Sequence, residues 1–248
     1  MASRGTAWRM DARCCLLSVA FTLLLASTPV MAAIGFFGTG SAPGANRGYN
    51  QKEDFNGGMP NPADFSPQQK EMFLRFVRNG KRYFEFGGGY STKIVLQETD
   101  MLSVNTIEDS QYVMDAIREP DYRARQNSIH IDLGEFDSWG VPVKPYSKML
   151  SWPTYSAAIA GYRDANVVFV NGRFRVASIC AALLYTDPDH TVILVHDWVR
   201  NYYHLVYKFV YALETSEDGL LVALKAKEDI DENEVLRMYE DYKYHPTY

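Results

Sequence analysis

The feature that most constrains the fold is the regular alternation of short β-like runs with helical stretches after residue 66. The β-like runs are residues 82–86, 104–107, 128–131, 167–170, 191–195 and 220–225, and the helical stretches are 67–78, 92–98, 111–118, 174–185, 202–213 and 232–242. Such alternation produces parallel strands joined by crossover helices. Runs as apolar as "VVFV" and "TVILV" are typical of central strands that helices cover on both faces. The pattern predicts a three-layer, doubly wound α/β fold with a mostly parallel, Rossmann-like sheet.

The amino terminus, residues 1–33, has the pattern of a targeting segment. Arg4, Arg9 and Arg13 precede the apolar run "CCLLSVAFTLLL", and the small residues of "ASTPVMAA" follow it. This order is typical of a cleaved signal peptide. An uncleaved signal anchor stays open, because the apolar run extended through residues 34–37 approaches the length of a membrane span, and so does an organelle presequence. Both main alternatives predict the secretory pathway, with membrane contact only through this segment.

Residues 34–66 are dense in Gly, Pro, Asn and Ala and predict a linker or irregular arm, so residues 67–248 form the predicted domain. The formal net charge of −5 argues against a nucleic-acid partner. The chain has no C-x-x-C, H-E-x-x-H, G-x-S-x-G or phosphate-loop motif. The chain therefore lacks the residues that a zinc hydrolase, a serine hydrolase or a P-loop kinase requires.

A glycine-rich turn, "EFGGGYST" at residues 85–92, follows the first predicted strand. Glycines permit a tight turn and let a ligand approach the backbone closely. The G-x-G-x-x-G pattern needs a third glycine where this chain has Thr92, whereas an acidic-x-Gly-x-Gly pattern is met by Glu85, Gly87 and Gly89. The turn predicts a nucleotide-like cofactor, with simple packing of helix on strand as the alternative.

Polar residues also follow the second and third predicted strands. Glu108 lies nineteen residues beyond Gly89, where nucleotide-binding α/β folds place a carboxylate for the ribose hydroxyls. Asp109 is either a ligand contact or the cap of the next helix. Asp132 is predicted on the adenine side. Asp137 and Trp139 lie in a long loop and are either substrate contacts or ordinary loop residues.

The glycine turn resembles the first motif of class I S-adenosylmethionine-dependent methyltransferases. The segments "WGVP" at 139–142, "VNGRFR" at 170–175 and "HD" at 196–197 resemble motifs of a little-characterised methyltransferase-like group, and this resemblance covers about residues 67–245. It implies S-adenosylmethionine as the cofactor. The residues it implies for cofactor binding are Glu85, Gly87, Gly88, Gly89, Ser91, Thr92, Glu108, Asp109 and Asp132.

The resemblance also implies metal-binding and catalytic residues at the ends of the fourth and fifth strands. In catechol O-methyltransferase-like relatives, acids at these two places hold a divalent cation. Here Asn171 stands where the pattern has aspartate, so Asn171 and Asp197 are the candidate ligands of a weakened magnesium (Mg2+) site. Asn171, His196 and Asp197 are the candidate catalytic residues that position or deprotonate an acceptor oxygen, with His196 or Asp197 as the general base. The alternative for Asp197 is a helix cap. Arg173 binds an anionic acceptor or the carboxylate of the cofactor, or else forms a salt bridge with the acidic surface.

Three functional hypotheses follow from the sequence. The first is an enzyme that methylates an oxygen of a small molecule or carbohydrate. The second is a non-catalytic descendant of the fold that acts as a binding module. The third is another nucleotide-dependent α/β enzyme, such as a nicotinamide dehydrogenase. The identity of the bound cofactor distinguishes the three.

Overall fold

The computed structural model describes residues 65–137, 141–143 and 146–247. The predictions for the targeting segment, for nearly all of the 34–66 arm and for Trp139 lie outside these residues. Within the described ranges, none of the helices combines the length and the apolar character that a membrane crossing requires.

The described chain forms one seven-stranded sheet flanked by helices. The strands are Arg82–Phe86 (β1), Ser103–Glu108 (β2), Gln126–His130 (β3), Val167–Val170 (β4), Val192–His196 (β5), Val210–Thr215 (β6) and Leu221–Ala226 (β7). The α-helices are Pro67–Arg78 (α1), Tyr90–Glu98 (α2), Gln111–Ile117 (α3), Trp152–Ala157 (α4), Arg175–Tyr185 (α5) and Glu232–Tyr242 (α6). Short 3-10 helices cover Pro120–Tyr122, Met149–Ser151, Ala158–Gly161 and Asn201–Lys208.

The strand order is β3-β2-β1-β4-β5-β7-β6. Strands β1 to β5 pair in parallel, and β7 runs antiparallel to both of its neighbours, β5 and β6. The mostly parallel, Rossmann-like α/β fold predicted from the alternation is therefore confirmed.

The core lies on both faces of this sheet because side chains alternate along each strand. Tyr83 of β1 packs on one face, with Met72 and Phe73 of α1 and with Phe169 of β4. Phe84 belongs to the cluster on the other face, which also contains buried residues of α4, α5 and α6. Helices therefore cover the central strands on both sides, as their continuous apolar sequence predicts.

Helix α1 begins and ends where its sequence predicts. The Ser66 hydroxyl accepts the Gln69 N–H at 3.2 Å, and the Gln69 side chain accepts the Ser66 N–H at 3.2 Å. Pro67 occupies the first turn, and Asn79 ends the helix. This reciprocal capping fixes the direction in which the chain enters the domain at Phe65.

The predicted helix at 202–213 is wrong. Residues Asn201–Lys208 form a 3-10 helix, and Val210–Thr215 form the edge strand β6. Tyr203 and Val206 are buried at helix-like spacing, which extended the apparent helical pattern. A register shift between Ala212 and Glu214 also disturbs the two-residue alternation that would have revealed the strand. Pairing with β7 decides the conformation, because strand preference depends on tertiary context.

The order of the strands reverses at β1, which lies between β2 and β4. The chain crosses to one side of β1 to form β2 and β3, and to the other side to form β4 and β5. In open α/β sheets the ligand crevice lies at such a switch point, outside the carboxyl ends of the strands. The turns after β1, β2, β4 and β5 therefore define the candidate site.

Candidate functional site

The turns after β1 and β4 are in backbone contact. Gly87 has φ +89°, and its N–H donates to the Ile107 carbonyl at 2.8 Å. A Cβ at Gly87 would lie 2.6 Å from the Cα of Gly172. Only glycine tolerates both this left-handed conformation and this contact. The packing of the two turns therefore requires glycine at position 87.

The next two glycines have different surroundings. A Cβ at Gly88 would lie 2.7 Å from the methyl group of Thr106, whereas a Cβ at Gly89 would meet nothing within 4 Å. Gly89 therefore faces an open cleft, which is lined by Phe65, Gly88, Gly89, Tyr90, Ser91 and Asn171. A ligand in this cleft would have direct access to the backbone of the turn.

Glu85 lies beneath the turn and is fully buried. Its carboxylate accepts hydrogen bonds from the hydroxyls of Ser91 at 2.8 Å, Thr106 at 2.8 Å and Tyr83 at 2.9 Å, and also from the hydroxyl of Thr92. Burial raises the pKa of Glu85, while these hydroxyls act in the opposite direction. Glu85 thus joins β1 to β2 and α2, and the Ser91 and Thr92 hydroxyls are directed at it.

Glu108 links the turn to the end of β2. Its two carboxylate oxygens accept the N–H groups of Gly88 and Ser110, each at 2.8 Å. Burial and then the charge of Asp109 raise the pKa of Glu108 to about 8. The residue predicted to accept ribose hydroxyls therefore lies directly against the glycine turn.

The raised pKa of Glu108 predicts a pH dependence of stability. Between the ordinary carboxyl value and about 8 the folded chain binds more protons at this site than the unfolded chain, so the free energy of unfolding falls as pH rises. Glu108→Gln is expected to remove this contribution, which changes by up to about 1.4 kcal/mol per pH unit. Urea unfolding of both proteins from pH 5 to 9 measures it. Parallel pH profiles for the two proteins would contradict the prediction.

Asp109 and Arg173 form an ion pair across the crevice. Arg173 Nε lies 3.4 Å from Asp109 Oδ2, and the guanidinium lies over the Phe136 ring at 4.7 Å. Ser110, not Asp109, caps α3, because its hydroxyl accepts the Val113 N–H. Arg173 at the end of β4 thus reaches the end of β2, a pairing that the sequence did not indicate.

Asp132 and Asp137 make contacts within their own loop. Asp132 pairs with Lys148 at 2.8 Å and accepts the Gly134 N–H at 3.0 Å. The Lys148 ammonium, followed by the Gly134 N–H, lowers the pKa of Asp132. Asp137 accepts the Val141 N–H at 2.9 Å. The roles predicted for both aspartates in ligand binding stay predictions.

Asp197, at the end of β5, is held by two arginines. Its carboxylate lies 3.1 Å from Arg175 Nη1 and 2.9 Å from Arg200 Nη2. Burial acts to raise the pKa of Asp197, but the charges of Arg175, His196 and Arg200 outweigh it and leave the pKa lowered. The side chain caps no helix, since the following 3-10 helix begins after Arg200.

This arrangement does not fit the predicted magnesium site. Two guanidinium groups already neutralise the Asp197 carboxylate, and Asn171 offers only a neutral amide oxygen. Within residues 65–137, 141–143 and 146–247, no group of three His, Cys, Asp or Glu side chains converges as a metal site. A hard divalent cation needs several unpaired oxygen ligands, which Asn171 and Asp197 do not supply here.

Arg175 joins the ends of β4 and β5. Its guanidinium donates to the carbonyls of Gly172 at 3.0 Å, Asn171 at 3.3 Å and His196 at 2.7 Å, in addition to the Asp197 carboxylate. Only 9% of the residue is exposed. The sequence did not indicate this bracing role, because three of the four acceptors are backbone carbonyls and the fourth is a side chain beyond the next strand.

His196 is buried beside Asp197. Its Nδ1 lies 3.7 Å from Asp197 Oδ1, while its buried Nε2 has no hydrogen-bond partner among the described residues. Burial lowers the pKa of His196, and the Asp197 charge acts in the opposite direction. The imidazole is therefore neutral near pH 7, and it carries an unused nitrogen.

The fold resembles known methyltransferase structures. A methyltransferase-like protein from Silicibacter pomeroyi matches with a TM-score of 0.60 and 23% identity, over 73% of this chain and 96% of that one. The chain has a methyltransferase-type fold. The MycE methyltransferase of the mycinamycin pathway, in complex with Mg and SAH, gives 0.43 and 13% over 72% and 55% of the two chains. Human methyltransferase-like protein 13, in complex with SAH, gives 0.38 and 10% over 70% and 86%. No family model and no curated protein matches.

Proposed function

We propose that this protein binds S-adenosylmethionine at the glycine turn and transfers its methyl group to an oxygen of a small molecule or carbohydrate. The observation that carries this proposal is the hydrogen bond from the Gly88 N–H to Glu108. It brings together, at the topological switch point, the open turn and the carboxylate that adenosyl binding requires. The methyltransferase-type fold supports the same assignment.

The chain's own groups have distinct tasks in this proposal. The Glu108 carboxylate accepts hydrogen bonds from the ribose hydroxyls, and the exposed backbone at Gly89 allows close approach of the cofactor. When bound, the cofactor supplies an electrophilic methyl group on a sulfonium sulfur. The protein contributes mainly by aligning the acceptor oxygen with that methyl group.

The proposed reaction uses no metal ion, because Arg175 and Arg200 already bind the Asp197 carboxylate. The acceptor is not a nucleic acid in this proposal, in keeping with the net charge of −5. Location in the secretory pathway remains a prediction from residues 1–33.

Gly89→Val is expected to weaken binding of S-adenosylmethionine and S-adenosylhomocysteine by about 100-fold or more, since it fills the space that the cofactor needs. A Cβ at Gly89 meets no atom within 4 Å, so the added side chain clashes with no part of the fold, and the thermal midpoint of the variant is measured beside its affinity. Calorimetric titration of the full chain measures the affinity.

Gly161→Val is the matched control for this experiment. A Cβ added at Gly161 would also meet no atom within 4 Å, but this residue lies in the 3-10 helix Ala158–Gly161 and outside the cleft. The affinity of this variant should equal that of the wild type. Unchanged binding by Gly89→Val would place the cofactor elsewhere, and a folded wild-type chain that binds neither compound would favour the non-catalytic binding module.

A further inference from the structure

Phe65 contacts both the cleft and His196. The Phe65 ring lines the cleft and meets the His196 imidazole edge-on at a centroid distance of 5.6 Å. It also packs on Phe73 at 5.0 Å and Phe169 at 5.8 Å. The residue is only partly buried and directly precedes the Ser66 cap. Its side chain therefore covers the imidazole from the cleft side without being locked in the core.

The Nε2 atom of His196 lacks a hydrogen-bond partner among the described residues. A buried polar atom without a hydrogen bond costs free energy, so native chains rarely retain one without a reason. His196 Nε2 is such an atom among the described residues, and His196 as a whole is only 9% exposed. It lies at the carboxyl end of β5, next to the β4 end where Asn171 lines the cleft. An incoming hydroxyl would supply the missing partner.

The opposite side of the imidazole sets its tautomer. Nδ1 faces the Asp197 carboxylate at 3.7 Å, and a negative charge favours placing the ring proton on the nearer nitrogen. Nε2 then carries the lone pair. Asp197 itself is held in place by Arg175 and Arg200.

The described lining of the cleft carries no formal charge. It consists of the aromatic residues Phe65 and Tyr90, the uncharged polar residues Ser91 and Asn171, and the glycines at positions 88 and 89. Apolar walls with a few polar groups suit an uncharged ligand with an aromatic or sugar ring. An anionic acceptor would find no described cation in this lining.

We propose that the acceptor is an uncharged hydroxyl compound that displaces the Phe65 ring, and that His196 Nε2 then takes the proton of its hydroxyl. This inference rests on the proposed methyltransferase function. The acceptor oxygen forms a bond to the methyl carbon as the carbon–sulfur bond breaks. The sulfonium leaves as a neutral thioether, and the hydroxyl proton ends on the imidazole, which becomes imidazolium.

The cover is tested on the full chain by the reaction of histidines with diethyl pyrocarbonate, followed by peptide mass spectrometry. Exposed His190 serves as the internal reference, because 79% of its side chain is accessible. His196 is expected to react at least about 10-fold more slowly than His190 in the wild type, and Phe65→Ala should raise its rate about 10-fold. Phe76→Ala, which alters a partly buried aromatic residue within α1, should not. Equal rates of His196 modification in the wild type and in Phe65→Ala would contradict the proposal that Phe65 covers His196.

The proton transfer is tested with radiolabelled S-adenosylmethionine and millimolar phenol or methyl glucoside as acceptors. His196→Gln should lower methyl transfer by about 100-fold or more, with the affinity for S-adenosylhomocysteine unchanged. The wild-type rate should rise with pH as His196 loses its proton, and His196→Gln should lose that part of the rise. Transfer that His196→Gln leaves intact would overturn the role of Nε2, and transfer to neither acceptor would overturn the acceptor class.

Failure of the proposed function gives a different result. In that case the wild-type chain would not bind S-adenosylhomocysteine, whereas the histidine reactivities would still decide whether Phe65 covers His196. The wild type and the Phe65 variant have the same charged groups around the imidazole. These groups are Asp197, Arg175, Asp218 and Arg200. A difference in His196 reactivity between these two proteins therefore reports access to the ring.

Discussion

Replacing Gly172 by alanine is expected to lower the free energy of unfolding by about 3 kcal/mol or more, the upper range for overpacking a core. The added Cβ would lie 2.0 Å from the Tyr155 hydroxyl oxygen and 2.8 Å from the Gly87 nitrogen. Tyr155 is fully buried and packs against Phe86 and Phe174 at ring distances of 5.9 and 5.8 Å. Neither the ring nor the Gly87 backbone has room to retreat. Urea unfolding measures the loss.

A second variant tests whether the loss of stability in Gly172→Ala comes from the contact with Tyr155. Tyr155→Phe removes the nearest oxygen, so Gly172→Ala in that background should cost less than in the wild type. The difference is a coupling energy of about 1 kcal/mol, in the range found for residues in contact. Gly161→Ala, which adds a Cβ in open space, should leave stability within about 0.5 kcal/mol. A Gly172→Ala protein as stable as this control would contradict the close contact between the two turns.

Much of the fold follows from local sequence because its signals are local. The bounds of β1, β4 and α6 agree with the predicted ones, since buried strands are continuously apolar and helices have capped, amphipathic sequences. The edge strand β6 was missed because its exposed residues need not be apolar, and its bulge interrupts the alternation. The direction of β7 was also not predictable, because it depends on pairing with β5.

The candidate site was predictable only in part. Sequence order places Glu108, Asn171 and His196 at strand ends, and parallel strands bring such ends to one edge. The partners of these residues depend on side-chain directions across the crevice. Arg173 pairs with Asp109, 64 residues earlier, and the Phe65 ring contacts the His196 ring from a distant part of the chain. No spacing rule connects residues so far apart, so their pairing is visible only once the chain is folded.

Arg175→Met is expected to lower the free energy of unfolding by about 3 kcal/mol. Removing one partner of a buried ion pair typically costs about 3–5 kcal/mol, and the low end applies because Asp197 is 26% exposed and keeps Arg200. The three carbonyls bound by Arg175 also lose their donor. Methionine preserves most of the side-chain volume over Tyr203, so the loss measures the charge and its hydrogen bonds. Urea unfolding at constant pH provides the measurement.

Arg200→Met is the matched control, because it removes the other guanidinium from the same carboxylate. Its side chain is 45% exposed, so water replaces it and the cost should be about 1 kcal/mol or less. Asp197→Asn combined with Arg175→Met should recover part of the stability, since the largely buried carboxylate is then neutral and water solvates the exposed part of Arg200. Equal losses for the two arginine variants would mean that Arg175 does not brace the ends of β4 and β5. The ordered position of His196, whose carbonyl Arg175 holds, would then need another cause.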